Sequence, residues 1–476
     1  MTAGAARKRS LRERLDLTAL NPGSRPIIFS IALGALCVFG FAPFYWFPIP
    51  VLCLAALAWL WNRCHSAGQA LCLGFGFGLG YFLAGVSWVY VSLHDFGGMP
   101  LPLACFATAF FCSYLALYPA ATGWMVKRFA MSRSIVLGLL FPAAWTFTEW
   151  VRGWMFTGFP WIGVGYSQSP TGPLSGFAAL FGVYGVAFVT VSSAGLLCWL
   201  AEIATLGTFR QTPEGSGQQP AMPEQVRGVR ALAKQPALYL LILLWIAGWG
   251  LQHVAWTTPM AESLAVSLVQ GNVKQDLKWR PEWVQASLDL YLDLTRKTRG
   301  RLIVLPETAV PLVNIDVPPA FFDALAQHAR RQQGDLLVGV PEYVQGTPPR
   351  YYNAVMSLGT NPVQHYQKYH LVPFGDYFPH WVFLSWIMNA LEIPMSDFSR
   401  GDAYQQPMNV AGQRVAVNIC YEDAFGEEII HQLPQATLLA NFTNDAWWGE
   451  SIAAQQHLQI SQMRAQETGR YMLRAT

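Results

Sequence analysis

Long apolar runs fill the first half of the chain, and short polar segments separate them. A helix needs about 20 mostly apolar residues to cross the hydrocarbon core of a bilayer. The runs predict seven membrane-spanning helices, near residues 27–44, 48–62, 70–92, 101–126, 134–151, 174–202 and 237–256. Residues 1–26 precede them as a basic N-terminus. Residues 27–256 are therefore predicted to form a seven-span membrane domain.

Alternate glycines mark the third of these runs, at Gly74, Gly76, Gly78 and Gly80. Small residues let the backbones of neighbouring helices approach closely in lipid. We therefore expect this stretch to be a helix-packing face and not a nucleotide-binding loop.

The long apolar runs cease after residue 256, and the charge content rises. Residues 257–476 hold 16 Lys and Arg with 21 Asp and Glu, whereas residues 1–256 hold 15 and 7. About 220 residues are enough to bury a separate core. The pattern predicts a water-facing, mildly acidic domain over residues 257–476. The net charge of +3 is the sum of a basic and an acidic half, so it gives no indication of nucleic-acid binding.

Positive charges in the membrane half indicate its orientation. If the N-terminus is cytoplasmic, 14 of the 15 Lys and Arg residues lie on the cytoplasmic side, and Arg152 alone lies in an outside loop. Loops rich in Lys and Arg face the cytoplasm. Seven spans then place residue 257 on the outer side, so the C-terminal half is expected to be extracytoplasmic or periplasmic.

Cys420 is the single cysteine of the C-terminal half, because the other seven lie in or beside the predicted spans. It follows the alternating, β-branched run 415–419, which predicts a strand. Polar residues come directly after it. An unpaired cysteine is either an inert buried thiol or a reactive one. A thiol at the carboxyl end of a strand, beside carboxylates, has the placement of a nucleophile.

Two more charged residues follow predicted strands, Glu307 after residues 302–306 and Lys368 after residues 363–367. A thiol with a pKa near 8.5 needs a base to become a thiolate at neutral pH. Glu307 could take that proton, and Lys368 could stabilise the thiolate and the oxyanion of an attacked carbonyl. The backbone N–H of Tyr421 would be a second oxyanion donor. Taken singly, the three residues could equally be a surface Glu, a surface Lys and a core Cys.

Three segments resemble the signatures of the nitrilase (carbon–nitrogen hydrolase) superfamily. They are Leu305-Pro-Glu307, the KYHLVPFG loop that begins at Lys368, and Asn418-Ile-Cys-Tyr-Glu422. Together with the N-terminal membrane domain, they resemble the apolipoprotein N-acyltransferase family in particular. The resemblance implies an α-helical transmembrane bundle joined to an α/β nitrilase-like αββα sandwich.

The same resemblance implies a role for each site residue. Glu307 would be the general base, Lys368 the oxyanion stabiliser and Cys420 the nucleophile. Tyr421 and Glu422 would support the catalytic loop, and Asp376 stands where the family usually has a longer glutamate. Trp279 and Trp447 would contact substrate in a lipid-facing pocket. Neither a cofactor nor a metal is implied.

The implied reaction has two steps and two membrane substrates. Cys420 would accept an acyl chain from a phospholipid, typically phosphatidylethanolamine, as a thioester. The acyl chain would then pass to the N-terminal amino group of an S-diacylglyceryl cysteine on an apolipoprotein. We expect a monomer in the cell inner membrane. The family continues beyond Thr476 with last strands and a final membrane helix, which we expect to be missing here.

The apolar segment 381–391 interrupts the C-terminal half. It could be a buried core helix, and we favour a membrane-dipping lid that guides acyl chains.

Two other functions fit parts of the sequence. A membrane-tethered amidase or nitrilase-type hydrolase could use the same triad on a soluble amide, but such a substrate requires neither seven spans nor the apolar segment. A transporter or assembly scaffold is the other candidate. Transporters usually carry ionisable residues within their spans, and here Glu149 is one of few.

Overall fold

The computed structural model describes residues 24–129, 131–209, 232–260, 262–377 and 397–476. The predicted basic N-terminus, up to residue 23, and the apolar segment 381–391 lie outside the described residues.

Long helices make up the described part of the membrane half, and each coincides with a predicted run. They are α1 (Ser24–Cys37), α2 (Pro48–Arg63), α3 (Ala67–Val86), α4 (Leu101–Arg128), α5 (Phe141–Trp154), α6 (Ala178–Phe209) and α7 (Pro236–Leu251). Short helical segments connect them at Val38–Gly40, Val89–Val91, Ser92–Phe96, Arg133–Ile135, Val136–Leu140, Met155–Thr157, Val164–Gln168 and Pro173–Phe177. Among the described residues, four helical stretches are long and apolar enough to cross a membrane: Ala67–Val86, Leu101–Arg128, Arg133–Thr157 and Pro173–Ala204. The bundle is confirmed, and the count of seven spans stays a prediction.

The alternate glycines of α3 lie where its neighbours approach most closely. A Cβ on Gly78 would lie 2.7 Å from the Cα of Ala116 in α4, and one on Gly80 would lie 2.0 Å from the carbonyl oxygen of Ile31 in α1. Real Cβ atoms do not tolerate such distances, so α3 can pack between α1 and α4 only with glycine there. The predicted helix-packing face is confirmed.

Arg152 does not lie in an outside loop, and that prediction was wrong. It belongs to the last turn of α5 and its side chain is buried. Its Nη1 donates to the carbonyl oxygens of Phe159 and, at 2.8 Å, Trp161. These carbonyls belong to the loop that follows α5. The helix itself continues past residue 151, where the predicted apolar run ends. A buried guanidinium that is hydrogen-bonded in this way is compatible with the bundle.

The described residues of the C-terminal half form two sheets. The first has the strand order β1-β2-β3-β4-β5, with β1 (Val266–Leu268), β2 (Leu302–Val304), β3 (Asp335–Val344), β4 (Arg350–Gly359) and β5 (His365–Gln367). The second has the order β6-β7-β8-β9, with β6 (Met408–Val410), β7 (Gln413–Ile419), β8 (Leu438–Phe442) and β9 (Met472–Ala475). Strands β1 to β3 are mutually parallel, as are β7 to β9, while β4, β5 and β6 pair antiparallel.

Helices cover the outer faces of the two sheets, and an apolar layer joins their inner faces. The inner layer includes Val304 and Val355 from the first sheet and Val417 and Phe442 from the second. On the outside of the first sheet lie α8 (Pro281–Arg296) and α9 (Pro319–Arg331). On the side of the second sheet lie α10 (Ala453–Thr468) and short segments at Cys420–Ala424, Gly426–Ile429 and Ile430–Gln432. The αββα sandwich is confirmed. Two more short helices, Gln275–Lys278 and Asp445–Trp448, flank the site described below.

Helix α10 is shared by the two halves of the chain. One side of it contacts β9 and the Cys420–Ala424 turn, and another contacts α6 of the bundle. Its Ile460 and Met463 lie in the same buried apolar cluster as Trp161. The sandwich therefore packs directly on the bundle.

Candidate active site

The ends of three strands bring the predicted triad together. Glu307 follows β2, Lys368 follows β5 and Cys420 follows β7. The Nζ of Lys368 lies 3.7 Å from Oε1 of Glu307. Charges on both residues act on the Cys420 thiol. A carboxylate and an ammonium that are buried thus share one site with the half-buried thiol, as the sequence predicted.

Glu307 is held by two residues to which the sequence assigned no role. Asn353, on β4, donates from Nδ2 to Oε1 of Glu307 at 2.7 Å. The Nζ of Lys278 donates to the Glu307 carbonyl oxygen at 3.2 Å and to Oγ1 of Thr308 at 2.6 Å. Thr308 has a left-handed φ of 46°, so the turn needs such support. Asn353 thereby holds the Glu307 carboxylate, and Lys278 holds the turn that carries it.

Lys368 is a buried ammonium with two carboxylate neighbours. Its side chain is 2% exposed, and Nζ lies 2.7 Å from Oδ2 of Asp376. Burial alone would lower the pKa of Lys368, but Asp376 and then Glu307 raise it well above its ordinary value. Oδ2 of Asp376 also accepts the N–H of Val372 at 2.8 Å. The loop therefore folds back far enough for an aspartate to take the place of the expected glutamate.

Cys420 has a backbone conformation that L-residues rarely adopt, with a φ of 52°. Such strain persists where the surroundings hold it, often at functional sites. Burial raises the pKa of its thiol, Glu307 raises it further, and Lys368 opposes them without cancelling them. A raised pKa favours the protonated thiol over the thiolate, so this environment suits a thiol that has a base beside it.

Glu422 connects the Cys420 loop to the Lys368 loop. Its Oε2 accepts from the N–H of Ile419 at 2.6 Å, and its Oε1 accepts from the N–H groups of Tyr369 at 2.7 Å and His370 at 3.0 Å. Burial raises the pKa of Glu422 to about 7, although these donors oppose the shift. The supporting role predicted for Glu422 agrees with this geometry.

Tyr421 connects the site to the bundle. Its hydroxyl donates to the carbonyl oxygen of Gly158 at 3.1 Å. Its ring stacks on Trp161 with 6.2 Å between centroids. The residue after Cys420 is therefore held by the loop that follows α5.

The two predicted substrate-contacting tryptophans flank the site. Trp279 follows Lys278, and its indole N–H is buried without a partner among the described residues. Trp447 packs edge-on against Phe96 of the bundle, with 6.2 Å between ring centroids. Oε1 of Gln275 accepts from Nδ2 of Asn444 at 2.7 Å, which joins their two loops. Contact of either ring with substrate stays a prediction.

Within the part of the chain that the structure describes, no cluster of three or more His, Cys, Asp or Glu side chains is arranged to hold a metal ion.

Known proteins resemble the chain in both halves. The family model of the apolipoprotein N-acyltransferase N-terminal domain matches residues 33–196, and the family model of carbon-nitrogen hydrolase matches residues 265–476. A crystal structure of carbon-nitrogen hydrolase from Helicobacter pylori aligns with 38% of this chain and 59% of its own, at 16% identity and a TM-score of 0.25.

Two relatives match this chain over both halves. An apolipoprotein N-acyltransferase of Nitrosomonas europaea is 49% identical over 453 residues, which cover 94% of this chain and 85% of the relative. The apolipoprotein N-acyltransferase of Methylococcus capsulatus is 42% identical, with 95% and 84% covered. Because these matches span the bundle and the sandwich together, the chain belongs to the apolipoprotein N-acyltransferase family.

Proposed function

We propose that this chain transfers an acyl chain from a membrane phospholipid to the N-terminal amino group of an S-diacylglyceryl cysteine on an apolipoprotein. Cys420 carries the acyl chain as a thioester between the two steps. The observation that carries the proposal is the buried site in which Lys368 lies 3.7 Å from Glu307 and both act on Cys420. The names of the relatives support the acceptor.

In the first step, the Glu307 carboxylate takes the thiol proton as sulfur attacks the ester carbonyl. A carbon–sulfur bond forms and the ester carbon–oxygen bond breaks. The proton on Glu307 passes to the departing oxygen, which leaves as the hydroxyl of a lysophospholipid. The Lys368 ammonium and the Tyr421 N–H stabilise the oxyanion.

In the second step, the acceptor amine attacks the thioester carbonyl. Glu307 takes a proton from the amine, the carbon–nitrogen bond forms and the carbon–sulfur bond breaks. The proton returns to sulfur, so the Cys420 thiol is restored. The same three groups serve both steps, and no external oxidant or reductant is needed.

The packing of the sandwich on the bundle suits substrates that remain anchored in lipid. The predicted position of 14 of the 15 positive charges of the membrane half on the cytoplasmic side supports a site that faces the periplasm. We place the enzyme in the inner membrane, as a monomer, with phosphatidylethanolamine as the donor.

The test is the intact mass of the purified protein after incubation with phosphatidylethanolamine. We expect an acyl adduct that hydroxylamine removes, present on the wild type and absent from Cys420→Ala and Glu307→Ala. Adding a diacylglyceryl lipopeptide should discharge the adduct and yield an N-acylated peptide. A folded wild type that stays unmodified, or an adduct that persists on Cys420→Ala, would contradict the proposal.

A further inference from the structure

Two side chains hold the carbonyl oxygen of Cys420. Nδ2 of Asn441, on β8, lies 3.0 Å from it, and Nε2 of His457, on α10, lies 3.1 Å from it. Both residues are fully buried. Neither residue belongs to the triad or to its supporting carboxylates.

The carbonyl of Cys420 and the N–H of Tyr421 belong to one peptide group. Because a trans peptide is planar, the carbonyl and the following N–H point in opposite directions, and fixing one fixes the other. Two donors on the Cys420 oxygen therefore set the direction of the Tyr421 N–H. They also hold the peptide that follows the left-handed φ of 52° at Cys420.

The imidazole of His457 is itself oriented from both sides. Its Nε2 faces two acceptors, the Cys420 oxygen and, at 2.9 Å, Oδ1 of Asp423. A ring nitrogen between two acceptors carries a proton. On the other side, Nδ1 lies 2.7 Å from Nη2 of Arg474, which pairs with Asp445 at 2.9 Å. The ring therefore cannot rotate without breaking a buried network.

We propose that His457, together with Asn441, is a positioning residue for acyl transfer. It orients the Cys420–Tyr421 peptide so that the Tyr421 N–H points at the oxyanion. It does not touch substrate and it moves no proton. This inference rests on the proposed thioester chemistry, since it concerns the oxyanion formed when that thioester is made.

A matched pair of substitutions separates this role from a structural one. In His457→Gln, the amide nitrogen can occupy the position of Nε2 and donate to the Cys420 oxygen. In His457→Asn, the amide nitrogen takes the place of Nδ1 and does not reach that oxygen. Ser461→Ala is the control, because Ser461 hydrogen-bonds to Asp423 and Arg474 in the same network without contacting the peptide.

Each folded variant of the full chain is incubated with phosphatidylethanolamine vesicles in one assay and with iodoacetamide in another, and a rate is measured in each. The first is formation of the acyl adduct, and the second is alkylation of the peptide that contains Cys420, which needs no oxyanion donor. Losing an oxyanion donor outright costs about 100- to 1,000-fold, so we expect His457→Asn to slow acylation about 10- to 100-fold. Alkylation should be unchanged, His457→Gln should retain most of the acylation rate, and Ser461→Ala should match the wild type.

The inference fails if His457→Asn acylates at the wild-type rate. It also fails if acylation and alkylation fall in parallel, because that indicates a merely structural role. Nη1 of Arg474 donates to Oδ1 of Asn441 at 2.8 Å. Asn441→Asp keeps that acceptor for Arg474 but presents a second acceptor to the Cys420 oxygen, and it decides the matter should His457→Asn not fold. Wild-type acylation by folded Asn441→Asp then overturns the inference. A wild type without an adduct would instead contradict the proposed function.

Discussion

Trp161, in the loop after α5, donates its indole N–H to the side-chain oxygen of Gln456 on α10, with 2.7 Å between the two atoms. The same oxygen accepts from the Trp88 indole at 3.3 Å, and the Gln456 amide donates to the Gly85 carbonyl oxygen at 3.1 Å. One buried amide of the sandwich therefore satisfies three groups of the bundle. It lies next to His457, so it also fixes the helix turn from which His457 reaches the Cys420 peptide.

Replacing Gln456 by Leu should destabilise the whole protein. Two buried indole N–H groups and a carbonyl would lose their partner, and each unsatisfied buried group costs about 1–3 kcal/mol. We expect a lower thermal unfolding temperature in detergent. Gln455→Leu is the control, because Gln455 is exposed on the same helix turn. Equal unfolding temperatures for the two variants would show that the Gln456 contacts add nothing.

Gly158→Ala should disturb the contact between the bundle and the Cys420 loop. Gly158 has a φ of 84°, and a Cβ there would lie 1.9 Å from the carbonyl oxygen of Gly153. The backbone must shift, at a cost on the order of 1–3 kcal/mol, and its carbonyl would move from the Tyr421 hydroxyl. We expect slower adduct formation and a lower unfolding temperature.

Gly250→Ala provides the comparison, because a Cβ at that position meets nothing within 4 Å. It should behave as the wild type in both measurements. Adduct formation at the wild-type rate in Gly158→Ala would mean that the Tyr421–Gly158 contact does not affect catalysis.

Asp376→Asn should slow acylation strongly. Lys368 would keep Glu307 as its carboxylate partner in the site, so its ammonium would be drawn to the base and away from the oxyanion. We expect a loss of about 100-fold, the scale of one electrostatic contact in the transition state. Adduct formation measured by mass gives the rate, with the exposed Asp402→Asn as the control. If Asp376→Asn equals the control, the 2.7 Å contact with Lys368 is not used in catalysis.

The buried Lys278 should make the stability of the protein increase with pH above neutrality. Burial lowers its pKa from 10.5 to about 8, although Glu307 opposes the shift. Between these values the unfolded chain binds a proton that the folded protein does not, so stability rises with pH over that window. The rise is at most about 3 kcal/mol, at 1.36 kcal/mol per pH unit.

The unfolding temperature of the wild type and of Lys278→Met, measured from pH 7 to 10.5, checks this prediction. The difference between the two proteins should change in favour of the wild type as the pH rises. A difference that is independent of pH would show that Lys278 titrates normally in the folded state.

The position of Glu307, Lys368 and Cys420 at strand ends could be predicted from the sequence, but their assignment as a triad came from the family resemblance. Glu307 and Cys420 come directly after apolar or β-branched runs, whereas Lys368 follows the more polar stretch 363–367. The membrane half was equally accessible, since apolar length alone predicts its helices. In both cases the signal is local.

Contacts between residues that are far apart in the sequence could not be predicted, because they leave no local sequence pattern. Asn353 comes from the middle of β4, and its amide meets Glu307 only after the sheet has formed. His457 and Gln456 lie on a helix whose sequence does not tell which side faces the bundle. Arg152 was misplaced because its partners are carbonyls of a returning loop. In each case the partner is set by tertiary packing.

The contact between the sandwich and the bundle also bears on the predicted domain boundary near residue 257. Tyr421, Phe425, Trp448 and Met463 are buried in a cluster with the bundle, although all four belong to the C-terminal half. If the chain were cut at that boundary, these side chains would face water, and the sandwich would expose an apolar surface that favours aggregation. The predicted boundary therefore does not separate two independent apolar cores.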